Sequence, residues 1–193
     1  MKEVKSSYPR TFEVSHVLTL ADAIEGLPVF ELEYEAVEPF QKALTEKELG
    51  SYSLIVRPAD SSPWLGLFWG DMGRSSPDYW LSCPDPDSLL VITGFECFYG
   101  KASDPLSFVV LPVRPAQDVF ICESHNLILI AGDTEILAIK EHGSVWHTTE
   151  LAYDSVIITD VSSGIISGHG DQDWSDKPFK IDTATGRIIK GGV

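Results

Sequence analysis

The stretch NLILIAGDTEILAIKEHGSVWHTTE, Asn126–Glu150, decides how this chain is read. Its runs NLILIAG, TEILAIK and SVWHTTE are short and rich in β-branched residues. They are joined by GD and EHG, which carry the Gly and Asp that close tight turns. That pattern predicts antiparallel strands in a meander. The same rhythm extends outward, to DVFICES on one side and to DSVIITD, GIISGHG, PFKIDT and GRIIKG on the other, with HN, SSG and TATG as connections.

Toward the N-terminus the period is again two. In VFELEYEAVE, Phe30, Leu32, Tyr34 and Ala36 alternate with Glu31, Glu33 and Glu35, so one face of that strand turns inward and the other is a row of carboxylates. EPFQKALTEKELG predicts one short helix over about residues 39–49. Pro39 suits a first helical turn, Phe40, Ala43 and Leu44 share a face, and Gly50 is a stop. SYSLIVRP, WLGLFW, DYWLSC, SLLVITGF and LSFVVLPV then read as strands, and WLGLFW, apolar on both faces, as a central one. The fold class is mainly β: an antiparallel sandwich or blade-like meander stack with one short helix. At 193 residues the chain suits a single domain, 1–193, divisible into an aromatic-rich sub-lobe 1–113 and a sub-lobe 114–193 of two meanders.

Two segments share a layout. GDTEILAIKEHGSVW (Gly132–Trp146) and GDQDWSDKPFKIDTATGRII (Gly170–Ile189) each run from strand to turn to glycine to strand. Gly143 and Gly186 lie 43 positions apart, against the roughly 40–45 residues of a propeller blade. In AIKEHGSVWHTTEL and KIDTATGRIIKGG, residues 118–192 resemble blades of the PQQ-like and WD40-like β-propellers. The resemblance implies a curved, blade-like antiparallel sheet and nothing about a ligand. Two blades do not close a ring of about four to eight, and only Trp146 sits where PQQ-like blades dock a tryptophan.

Composition sets further bounds. Hydrophobic residues make up 44%, with five Trp and nine Phe, enough for a packed core. The net charge is −15, with 17 acids and 8 bases in residues 1–113 and 12 and 6 in residues 114–193. A charge of this sign repels nucleic acid and favours a basic partner. Cys83, Cys97 and Cys122 are too widely spaced for a zinc knuckle or a redox pair and read as buried thiols. MKEVKSSYPRTFEV has no apolar leader, and no run of some 18 apolar residues occurs. The expectation is a cytoplasmic protein that neither crosses membranes nor binds nucleic acid.

Candidate sites follow from the polar stretches. GHGDQDWSDKPFKIDTATG places Asp171, Asp173 and Asp182 near the ligand positions of a calcium loop, yet Asp176 stands where a glycine is needed and Pro178 follows. The rival reading is a hairpin with Asp182 capping the TATG turn. Ca²⁺ is the one cofactor candidate. His169, His147 and His142 have no fixed ligand spacing, and His16 and His125 stand alone. The row Glu31, Glu33 and Glu35 lacks the asymmetry that acid–base catalysis needs and suits docking. Trp69, Asp71, Arg74 and Trp80 are candidate anchors for a partner or a sugar, with core filling the commoner fate of such aromatics. No nucleophile elbow, P-loop or H-E-x-x-H is present. The sequence therefore points to a binding module that docks on a basic protein, as immunity proteins and inhibitors do, or to a homodimer. The alternative is an enzyme or small-ligand protein with a divalent cation near Asp171 and Asp173.

Overall fold

A computed structural model describes residues 2–17, 26–33, 52–70, 78–94, 96–172 and 175–192. The chain divides into two compact units, Met1–Pro112 and Val113–Val193. The described residues are mainly β-strand, and their one helical segment is a 3-10 turn at Glu123–His125. The helix expected at 39–49 lies outside the described residues. No described helix is long and apolar enough to cross a membrane.

The first unit contains β1 (Lys2–Glu3), β2 (Phe12–Val17), β3 (Val29–Glu33), β4 (Tyr52–Pro58) and β5 (Trp64–Trp69). It continues with β6 (Tyr79–Ser82), β7 (Ser88–Thr93), β8 (Glu96–Lys101) and β9 (Asp104–Val110). One sheet has the order β1-β6-β7-β8-β9 and the other β2-β4-β5-β3. Neighbours run antiparallel except β1 with β6 and β3 with β5. The sheets form a sandwich around Phe12, Leu54, Val56, Trp64 and Phe68 from one side and Trp80, Leu89, Val91 and Phe98 from the other.

Every residue of β5 is buried, because its two faces enter different cores. Trp64 and Phe68 face the other sheet, and Leu65 and Leu67 join Val17 and Ile55 on the far side. Phe30 and Phe108 meet Trp64 edge-on at 5.9 and 5.7 Å. Each ring of this size removes roughly 150–250 Å² from water. The indole N–H of Trp64 donates to Ala102 O at 2.7 Å, so the buried donor is satisfied.

The second unit is two four-stranded antiparallel meanders. The first is β10 (Asp118–Cys122), β11 (Leu127–Ala131), β12 (Ile136–Lys140) and β13 (Gly143–Thr148). The second is β14 (Val156–Ser162), β15 (Ile165–Gln172), β16 (Ser175–Asp182) and β17 (Ile188–Lys190). Leu127, Leu129, Ala131, Ile136 and Ala138 of the first sheet pack on Ile166, Phe179 and Ile181 of the second. Trp146 fastens the pair: its Nε1 donates to Thr183 O at 3.0 Å. Its ring lies where a Cβ on Gly186 would come within 2.6 Å, and Gly186 has φ +70°, so only glycine serves there. Lys180 stands directly opposite Lys190 at the β17 edge, a charged edge that discourages pairing with another strand.

Candidate functional site

The most distinctive polar surface of the second unit is the end where β11, β13 and β15 finish and β12, β14 and β16 begin. Its organiser is the link 149–155 between the two meanders. Leu151 N donates to Thr134 O at 2.9 Å, which ties the link to the β11–β12 turn. Tyr153 N donates to Asp171 O at 2.8 Å, and Asp171 N returns a bond to Ser155 O at 3.1 Å. Gln172 Nε2 adds a bond to Leu151 O at 2.9 Å. Leu151 and Ala152 are buried at 0% and 2%. Ala152 fits because β15 carries Gly170 there; a Cβ at that position would stand 2.7 Å from the Ala152 methyl.

Burying Leu151 and Ala152 forces their neighbours outward. Tyr153 is 61% exposed, and Glu150 and Asp154 are exposed on either side. The backbone bonds bring Asp133, from the β11–β12 turn, and Asp171 to the same end; Asp133 also pairs with Gln117 Nε2. Asp176 joins them as the cross-strand partner of Asp171. Tyr153 and these carboxyl groups thus belong to one end of the unit, where Asp171 Oδ1 is itself buried. Acidic groups at one end of a unit make the local potential negative.

Beneath it, Glu135 is held by the protein's own donors. One carboxylate oxygen accepts the Arg114 N–H at 2.8 Å, and the other lies 2.9 Å from His147 Nε2. Both oxygens are engaged, so Glu135 positions the chain around it. His169 Nδ1 is 3.6 Å from Asp176 Oδ2.

The residues singled out in the sequence are scattered. Asp171 lies in the row facing Asp176, whereas Asp182 faces Ile165. Six residue steps along β16 separate those rows, roughly 20 Å at a strand's rise, so these two aspartates do not share an ion. Asp173 lies outside the described residues. Asp182 caps its own turn: Oδ1 accepts from Thr185 Oγ1 at 2.7 Å and from Thr185 N at 2.9 Å. Those bonds, the hydroxyl's first, hold its carboxyl below the ordinary value. Among the described residues no group of three or more His, Cys, Asp or Glu is placed to hold a metal ion.

Trp69 and Trp80, expected as anchors, are each 5% exposed. Trp80 packs in the core of the first unit. The Arg10 guanidinium lies 5.4 Å from the Trp80 ring centre. Asp71 and Arg74 lie outside the described residues. Glu31 is exposed on β3 while Phe30 and Leu32 pack inward; the Glu33 side chain and Glu35 are outside the described set. Tyr153, Glu150 and Asp154 went unnoticed because they read as a connection. Their signal was TTELAYDS, an aromatic between acids in a link that also carries two small apolar residues.

A scan against protein-family models finds no match to this chain. A search of curated proteins likewise finds no significant match.

Proposed function

We infer that this chain is a binding module that docks on a basic protein partner, in the manner of an immunity protein or inhibitor, and acts by contact. The observation that carries the reading is the exposed Tyr153 at the end of the second unit that also holds Asp133, Glu150, Asp154, Asp171 and Asp176, on a chain whose net charge is −15. Long-range attraction from the acidic body steers a basic surface inward. An exposed tyrosine supplies the desolvated contact that charge alone does not.

The test is capture on the immobilised protein, washed at low salt and at about 0.5 M salt, where screening reaches within a few ångströms. One stoichiometric basic partner, released by salt, is expected. Tyr153→Ala is expected to cost about 2 kcal/mol of that affinity, and Glu150→Gln with Asp154→Asn to slow association several-fold. A partner bound as tightly and as fast by both variants as by wild type would remove this surface from the reading. No partner at either salt would remove the reading itself.

A further inference from the structure

At the end of β10, away from the acidic surface, a thiol, an imidazole and a hydroxyl meet. Cys122 is the last residue of the strand, and the 3-10 turn Glu123–His125 folds directly back over it. Cys122 Sγ lies 3.2 Å from His125 Nδ1 and 3.6 Å from Ser124 Oγ. Ser124 Oγ is itself 3.0 Å from the same ring nitrogen. Asn126, at φ 51°, closes the turn by donating its N–H to Glu123 O at 3.0 Å. The sequence carries this as C-E-S-H, with the nucleophile and the base three residues apart.

The three cysteines have different surroundings. Cys83 and Cys97 are 0% exposed, and burial pushes both thiols up, which keeps them protonated. Cys122 is 5% exposed and packs beside Phe120 on the core between the two meanders. Its cover is one turn in which no residue is buried. Glu123 and Ser124 of that turn are exposed, and a shift of these side chains with His125 left in place opens Sγ to solvent. A nucleophile within hydrogen-bond reach of a base is the arrangement that activates thiols.

We propose that Cys122 is a modification site, a thiol that His125 activates toward hydroperoxides. With the imidazole proton on Nε2, Nδ1 accepts the proton of Sγ as the sulfur attacks the outer oxygen of the peroxide. The S–O bond forms and the O–O bond breaks. The departing hydroxide takes the proton from Nδ1. Thiol and hydrogen peroxide become sulfenic acid and water, with the sulfur oxidised and the peroxide reduced. The Ser124 hydroxyl donates to the sulfur while it is charged.

The test treats the reduced protein with hydrogen peroxide and a 1,3-diketone that traps sulfenic acid, and locates the adduct by peptide mass. It is run near pH 6.5, where an ordinary thiol is about one part in a hundred thiolate. The adduct is expected on Cys122 and on neither Cys83 nor Cys97. It should form at least about tenfold faster in the folded protein than in the same chain unfolded in urea, as a positioned base implies. His125→Asn keeps a polar side chain over the thiol but has no basic nitrogen, and is expected to slow the reaction about tenfold. If His125 only roofs the thiol, removing it speeds the reaction instead. The proposal is overturned by an adduct on Cys83 or Cys97, by a folded rate no faster than the unfolded one, or by an undiminished rate in His125→Asn. Should that variant not fold, the comparison of folded and unfolded wild type decides alone.

Discussion

Asp182 shows what one side chain does for a turn. Its Oδ1 takes two hydrogen bonds from Thr185, which reward the charged carboxylate and leave it below its ordinary value in the folded chain. A group shifted in that direction adds stability above the unfolded value, near 4, and loses it as pH falls through the lower folded value. The melting temperature of Asp182→Ala is therefore expected to lie below wild type at neutral pH, with the gap closing under about pH 4. A gap that stays constant down to about pH 3 would assign the effect to the backbone of the turn. This cap was legible because D-x-x-T-G is local: donor, acceptor and glycine all lie within five residues. The fate of Trp69 and Trp80 was not legible, since burial depends on which sheet comes to lie over a strand.

At the scale of elements, period two carried most of the reading. WLGLFW, apolar at every position, anticipated a strand buried on both faces, and β5 is one. The strands of the two meanders fall where the β-branched runs and glycine turns put them. The parallel pairs were hidden, because β1 meets β6 and β3 meets β5 across long stretches of sequence that leave no local trace. Trp146 is the element-scale prediction. Its ring covers Gly186 and its N–H reaches Thr183 O on the neighbouring meander. Trp146→Phe keeps a ring and loses one hydrogen bond, a cost of about 1 kcal/mol. Trp146→Ala loses the half-buried ring as well, about 2 kcal/mol or more. Urea melts that order the variants Ala below Phe below wild type would place the stabilisation in this contact. Equal midpoints would place it elsewhere.

Over the whole molecule, charge dominates. A net −15 on 193 residues means self-repulsion at low ionic strength. Ion pairs such as Arg10–Glu3, with both side chains more than a third exposed, return little against it. The melting temperature is expected to rise from about 10 mM to about 0.2 M sodium chloride as screening sets in; a fall would mean that attractive pairs outweigh the repulsion. Within the second unit the charge is uneven. Lys177, Lys180, Arg187 and Lys190 all lie between the start of β16 and the end of β17, and residues 113–172 hold nine acids against Arg114 and Lys140. The acidic end could not be read from sequence, because Asp133 of the β11–β12 turn, Glu150 and Asp154 of the link, and Asp171 of β15 are brought together only by backbone hydrogen bonds.

The link 149–155 is pinned to both meanders before anything meets it. The entropy of fixing its backbone is therefore spent during folding, so the main chain that carries Tyr153 is set in advance of any contact. Under the docking reading proposed above, encounter on this surface would be timed by diffusion and ionic strength, with no waiting step for a loop to settle.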